Sequence, residues 1–494
     1  MPMNETKPEN LGGTNRAGQQ IDPWKAFYVL LAGGFMTLLD ISIVNVALPS
    51  ITLNLGATSS QLQWIVASYS LAFGLMLVPA GRLGDVFGRR NLFAMGIGGF
   101  TAASLLCGVA TSANVLILAR FIQGGFAAVI SPQVMGLIQQ MFRGPDRGKA
   151  FGFNGASIGV STALGPVLGG LLVSALPLAW GWRSIFLINV PIGLIVVPLA
   201  MRMLPAPSGE RQKIRLDLVG VILMSLITLL AMLPLIIATE HASLEGAPWW
   251  MLGVAVACWV VFMAWEILRD RAGQVVILPR ALMRTPSFVL GTAIGTCYFV
   301  GFSGFFVTLT LYLQDGLGFA PWQAGLMQLP FAVGGTIAAA SSGKLLARKG
   351  RSLVIIGITL SLSCMVALDL TAHFAPQGQL WWLVPIFFFI GGLGNGSTIS
   401  PNQALTLSDV PVESSSTAAA LLQATQRIGT TLSIAALTLA FFVTLPLPLR
   451  GQAASEPGQV ALFSAGFSNA LHVTEVAMLL AIILGLVDRF RRRH

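Results

Sequence analysis

The sequence predicts an all-α, polytopic membrane protein that crosses the bilayer about fourteen times, and three observations carry that prediction. The chain has 494 residues, 55% of them hydrophobic and only 10% charged, which is too apolar for a soluble protein and too long for a single anchor. Apolar runs of spanning length recur at about 24–48, 61–80, 91–110, 114–140, 150–176, 184–204, 217–239, 248–268, 286–314, 322–345, 352–372, 381–408, 417–441 and 470–488, each able to cross a ~30 Å hydrocarbon core as a helix. The cations also segregate. Of the 29 Lys and Arg residues, 25 fall in the two tails and every second loop; only Arg183 and Arg450 lie on the opposite side, while Arg120 and Arg427 fall inside runs. Positive-inside orientation makes both termini cytoplasmic, and an even number of crossings agrees.

The first run, WKAFYVLLAGGFMTLLDISIVNVAL, contains one acid, Asp40. At ~1.5 Å per residue its carboxyl sits roughly 24 Å along the helix, within hydrocarbon, where an ionised acid costs about 2.5–3.5 kcal/mol. A chain keeps such a group with a partner, a water-filled cavity or a protonation cycle. Two readings follow: an Asp that ties helices together, or an acid that binds a proton or cation.

The second run leads into GRLGDVFGRR at 81–90. Asp85 among Arg82, Arg89 and Arg90 can form charge pairs and accept from a helix N-terminus, latching helices at the cytoplasmic face. Topogenic charge explains the arginines but not the acid. The pattern returns at 343–352, GKLLARKGRS, where Gly81, Leu83, Gly88 and Arg89 recur as Gly343, Leu345, Gly350 and Arg351, and the same offset carries Trp24 onto Pro286. Two six-helix halves follow, at 24–204 and 286–488, joined by a 205–285 linker with two inserted helices; residues 1–23 and 489–494 form cytoplasmic tails. An even insertion keeps the halves parallel, as in transporters whose repeats are related about the membrane normal.

In the fourth run, NVLILARFIQGGFAAVISPQVMGLIQQ, Arg120 is followed by Gln123, Gly124 and Ala127 at helical spacing. Arg120 lies roughly 9 Å below the outer end of its run and Asp40 roughly 12 Å below the end of the first, so the two match in depth. If the helices adjoin, the guanidinium favours an ionised carboxylate and burial favours a protonated one; a site balanced between them can load and release a proton. Alternatively Arg120 only bonds backbone carbonyls. The fifth run, FGFNGASIGVSTALGPVLGG, spaces Gly155, Gly159 and Ala163 by four and then places Gly165, Pro166, Gly169 and Gly170. Small residues at that spacing let helices touch backbone to backbone, and Pro166 removes a hydrogen bond. A rocking interface and static glycine packing both fit.

Trp64, Tyr69, Phe73, Gln123, Phe302 and Phe305, with Asp40 and Arg427, are candidates to line a pocket for a lipophilic or cationic guest, ordinary helix packing being the alternative. Arg427 is roughly 15 Å deep and needs a partner or a cavity. Asp315, Asp369 and Glu475 are expected near outer ends, hydrated, and Glu266 at the inner interface.

Several classes are excluded. The net charge of +10 follows topology, so no nucleic-acid partner is implied. Cys107, Cys258, Cys297 and Cys364 lie in apolar runs without disulfide or metal spacing, and His241, His373, His472 and His494 are far apart and expected in loops or termini. No metal site, no cofactor and no enzyme activity are expected, because no Ser/His or His/Asp set is present. Residues 1–23 lack the pattern of a cleaved leader, so the first helix is expected to stay. The longest loop, about 442–469, is too short to bury a core of its own.

Four stretches together resemble the major facilitator superfamily, specifically its fourteen-helix drug/proton antiporter branch: LLDISIVNVALPSI at 38–51, GRLGDVFGRR, LARFIQGGFAA at 118–128 and ALGPVLGG at 163–170. WGWRSIFLINVPIG and YLQDGLGFAPWQAGLMQLP are similar to it as well. The resemblance implies the major facilitator fold, alternating access by rocking of two halves, Asp40 as the coupling acid and Arg120 beside it. It extends to a latch of Gly81, Asp85, Gly88, Arg89 and Arg90 and an antiporter motif of Gly159, Gly165, Pro166, Gly169 and Gly170. Val86 stands where the family usually has a cation, and Ser161 where the fifth-helix motif often has Gly. The expected function is a proton-coupled exporter of small lipophilic or cationic drugs, acting as a monomer in the cell membrane with protons and a small molecule as partners. The alternative is a proton-linked exporter of a metabolite such as an antibiotic, siderophore or organic acid.

Overall fold

The computed structural model describes residues 21–491 except 143, 207–216, 242–245, 275, 279, 375, 411–414, 447–448, 451 and 455. It is built from helices: α1 (Pro23–Leu55), α2 (Ser59–Phe87), α3 (Arg89–Gly108), α4 (Ala113–Met141), α5 (Gly144–Ala175) and α6, which breaks into Leu178–Leu187 and Asn189–Met203. Next come α7 (Leu218–His241) and α8 (Trp250–Arg271), a short turn at Arg280–Met283, and α9, in pieces Pro286–Phe302 and Phe305–Leu311 with a π-turn at Tyr312–Gly316. The chain ends with α10 (Pro321–Lys349), α11 (Arg351–Phe374), α12 (Leu380–Thr406), α13 (Ser415–Phe442) and α14 (Pro457–Arg491). Among the described residues, eleven spans are long and apolar enough to cross a membrane.

Helix starts follow local chemistry. Asp22 accepts from Trp24 N at 3.0 Å ahead of Pro23, Thr58 and Gln61 form a reciprocal capping box at α2, and Ser112 caps α4. The helices run past the apolar limits of the sequence because capped polar turns continue outside hydrocarbon. α14 therefore begins at Pro457, so the second half of the loop expected at 442–469 is helical, and His472 lies within α14 rather than in a loop. His373 likewise closes the last turn of α11.

The repeat has a backbone cause. Gly88 (φ 84°) joins α2 to α3, and Gly350 (φ 52°) joins α10 to α11; each turn needs a left-handed residue between two helices with no loop to spare. An arginine follows each. Arg89 lies against Gly136 of α4. Arg351 pairs with Asp488 of α14 and donates from Nη1 to Asn402 Oδ1 at 2.5 Å, and Asn402 Nδ2 donates to the Gly291 carbonyl at 2.9 Å, tying α9, α11, α12 and α14 together near the face that holds the termini.

Helices α1–α6 pack among themselves, as do α9–α14, and the two groups meet where α5 lies on α10, α2 on α13 and α1 on the second piece of α9. α7 packs on α8 and covers the seam between α2 and α13. The described links between groups gather toward the face away from the termini. There Gln314 Nε2 donates to the Val46 carbonyl at 3.0 Å, and Gly170 abuts Pro321 and Trp322. Asn54 Oδ1 on the same face accepts from Trp182 Nε1 and Arg183 Nη1, both at 2.9 Å, closing α1 against α6.

Candidate functional site

Asp40 is fully buried, and four helices supply its surroundings. Arg120 Nη1 of α4 reaches Asp40 Oδ2 at 2.5 Å. The other carboxylate oxygen, Oδ1, accepts from Gln123 Nε2 at 2.8 Å and from Asn189 Nδ2 at 3.0 Å. Arg120 also donates to Gln123 Oε1 at 2.7 Å and from Nε to the Ile65 carbonyl at 3.2 Å, while Gln123 Nε2 donates to Ser104 Oγ at 2.7 Å. The Arg120 guanidinium lies 4.2 Å from the Tyr69 ring centroid. The spacing of Arg120 and Gln123 puts both on one face of α4, and Gly124 brings that face onto the Tyr69 backbone, where a Cβ would collide.

This arrangement does both things the sequence left open: Arg120 pairs with the acid and bonds a backbone carbonyl. A buried charge pair whose remaining hydrogen-bonding capacity is filled by amides holds the carboxylate without water. Protonating Asp40 would remove the negative charge that offsets the buried Arg120 guanidinium.

Asn189, Ser104 and the Ile65 carbonyl were not singled out in the sequence. Asn189 opens the second piece of α6, and the signal for it was a lone amide in the apolar stretch WGWRSIFLINVPIG. Ser104 is one hydroxyl among many in apolar helices and carries no such signal.

The remaining candidates separate. Asp40 and Gln123 lie inside the α1–α6 group, both at 0% exposure, and do not face the space between the groups in this conformation. Trp64 packs in a cluster with Leu71, Met232 and Ile434, at the seam that α7 covers. Phe302 stacks between Tyr298 (5.3 Å) and Phe331 (5.4 Å), and Phe305 stacks on Phe388 at 5.7 Å, forming a buried aromatic cluster within the α9–α14 group. Arg427 lies over the Phe73 ring at 4.5 Å. In the fifth-helix motif, Gly165 and Gly169 pack on Ser42 and Ile43 of α1, while Pro166 and Gly170 meet Gly325, Pro321 and Trp322 of α10; α5 is a wedge between the groups. The side chains of Asp85 and Arg82 and the surroundings of Gly81 and Gly159 lie outside the described residues.

Glu266, near the end of α8, is buried, and its Oε2 accepts the Leu278 amide at 2.7 Å where the chain folds back under the helix. Asp217 beside it accepts from Trp265 Nε1 at 3.1 Å and faces Arg269 at 3.5 Å, so a polar knot ties the inserted pair to the following linker. Asp369 stands between His373 at 3.6 Å and His472 at 3.4 Å, linking α11 to α14.

The Major Facilitator Superfamily profile matches residues 30–434. Over 424 residues the chain is 38% identical to a probable actinorhodin transporter of Streptomyces coelicolor, covering 85% of this chain and 72% of that protein. It is 35% identical to the puromycin resistance protein pur8 of Streptomyces alboniger (85% and 82% covered) and 32% identical to the multidrug resistance protein Stp of Mycobacterium tuberculosis (82% and 73%). Among solved structures, an inward-facing, unoccupied bacterial homologue of the human lysosomal transporter Spinster superposes with a TM-score of 0.64 at 15% identity (94% and 96% covered). The xylose transporter XylE from E. coli, in a partially occluded inward-open conformation, gives 0.59 at 15% (93% and 98%). The helical architecture, the profile and these relatives agree that the chain is a membrane-embedded transporter of small molecules, not an enzyme, and that it belongs to the major facilitator superfamily.

Proposed function

We propose that the protein exports small lipophilic compounds, of the drug or antibiotic kind named for its relatives, in exchange for protons. The single observation that carries this reading is Asp40: an acid in mid-span, fully buried, held by Arg120, Gln123 and Asn189. The halves 24–204 and 286–488 rock about the α5–α10 and α2–α13 contacts, with 205–285 as an inserted pair and both termini cytoplasmic. External protons reach Asp40 when the face away from the termini opens, Arg120 is released from its partner, and the reverse swing discharges the proton inside. The membrane potential contributes ~2.3 kcal/mol per charge per 100 mV, enough for one proton to drive useful accumulation. Asp85, with Gly81, Gly88, Arg89 and Arg90, acts as the cytoplasmic latch, and the protein works as a monomer.

The test is drug-evoked proton movement in inside-out vesicles carrying wild type or Asp40→Asn. Loss of coupling in the variant, with the protein still folded, is the expected result; gradient-dependent export by Asp40→Asn would defeat the assignment. A second reading, export of one dedicated metabolite, is favoured by the actinorhodin transporter's similarity. A susceptibility panel in cells with and without the protein separates broad from narrow export. Of the two guest types expected from the sequence, the cationic one meets the positive charge of Arg427.

A further inference from the structure

We infer that Arg427 is the anion-binding element of the transport pathway, so that the preferred substrates are lipophilic molecules bearing an acidic group such as a carboxylate, sulfonate or acidic phenol. This rests on the exporter reading and narrows its substrate class.

The position of Arg427 follows from the two contact faces of α13. Arg427 Cβ, with the backbone of Ala424 and Ile428, packs on Gly74 of α2. On the other side, Gln426 meets Gly295, Gly429 meets Thr296, and Thr430 Oγ1 bonds Ser303 Oγ at 3.0 Å, all on α9. At 100° per residue, position 427 falls at the edge of the α2 face, and its side chain runs along α2 to the Phe73 ring. Arg427 is partly exposed there.

Its charge is also uncompensated. Among the described residues the guanidinium has no ion pair and no hydrogen bond, only the Phe73 ring at 4.5 Å. Two fully buried helix arginines described above are paired: Arg120 with Asp40, and Arg351 with Asp488 and Asn402. Phe73 stacks on Tyr69 at 6.3 Å, and Tyr69 carries the Arg120 guanidinium at 4.2 Å. Two cations thus flank one aromatic pair, while Asp40 is already occupied by Arg120. Tyr69 and Phe73 are buried in the core of the first group, so the ligand-facing element is the guanidinium itself, whose planar fork of donors suits the carboxylate or sulfonate of an otherwise apolar molecule. A lipophilic cation at the same place meets positive charge with no carboxylate to offset it.

The consequence for energetics is distinctive. A proton moving in and a monoanion moving out carry charge in the same sense, so each cycle moves two charges. Exchange of one proton for a monocation moves none. Anion export is therefore accelerated by an inside-negative potential even without a pH difference.

The experiment uses purified full-length protein and two fluorescent probes, carboxyfluorescein as the anion and ethidium as the cation, titrated by anisotropy. Wild type is expected to bind carboxyfluorescein the tighter of the two, Arg427→Gln to weaken it at least tenfold with ethidium unchanged or tighter, and Arg427→Lys to weaken it less. Size-exclusion profiles matching wild type establish that the variants are folded, and Arg427→Lys serves if Arg427→Gln is not. Unchanged carboxyfluorescein affinity in Arg427→Gln, preference for ethidium in wild type, or binding of neither probe overturns the assignment. The exchange reading is checked separately by carboxyfluorescein uptake into inside-out vesicles. If uptake ignores the proton gradient while the binding result holds, proton exchange fails and the anion site stands.

Discussion

Replacing Asp40 and Arg120 singly and together tests whether the buried pair acts as one unit. With Arg120 Nη1 2.5 Å from Asp40 Oδ2, the charge centres stand about 4 Å apart, an attraction of about 4 kcal/mol at an effective dielectric near 20. Asp40→Asn keeps an oxygen for Gln123 and Asn189 but turns an amide donor toward Arg120 and strands its charge. Arg120→Gln leaves a buried carboxylate with amide donors alone. Each single change should cost about 3–5 kcal/mol, because the surviving charge is buried without compensation. In the double variant both charges are gone and two amides can bond each other, so the combined loss should fall short of the sum by at least about 2–3 kcal/mol. The assay is thermal melting of detergent-purified protein, with the wild-type, single and double variants compared in one buffer. The double variant should melt at or above the less stable single variant while remaining uncoupled in vesicles. Additive losses would refute the claim that the two charges compensate each other, whatever the transport data show.

Three further outcomes follow from the same geometry. Asn189→Ala removes one donor from Asp40 Oδ1, a bond to a charged group worth about 1.5–3 kcal/mol, so melting should drop by less than in Arg120→Gln; a wild-type melt would remove Asn189 from the network. Gly170→Val places a branched side chain against Pro321 and Trp322, and cycling should stop in vesicles although the protein purifies normally; unimpaired transport would mean that the α5–α10 approach is dispensable. Glu266→Ala leaves the Leu278 amide without its acceptor, costing about 1–3 kcal/mol, and should lower the melting point without changing export per folded molecule; a selective transport defect would give the inserted pair a direct role.

The sequence by itself determined what depends on length and charge along one dimension. Span length is a property of a run of apolar residues, and orientation follows from which loops hold the cations, so fourteen long helices were legible without knowing any neighbour. The depth of Asp40 and Arg120 was equally legible, because rise per residue is constant. The recurrence of Gly88 and Gly350 marked a backbone need that only glycine meets cheaply, and both turns proved to be left-handed.

Only the tertiary structure decided what depends on azimuth, the direction a side chain leaves its helix and the helix it then meets. Asn189 and Ser104 join Asp40 because α3 and α6 happen to face α1 at that level, a relation that no spacing within one helix encodes. The same holds for α5, whose glycines serve α1 on one side and α10 on the other, and for Glu266, buried by a linker that returns beneath it. Arg427 was expected to need a partner or a cavity. Packing on α2 set its guanidinium over the Phe73 ring, and among the described residues it forms no ion pair.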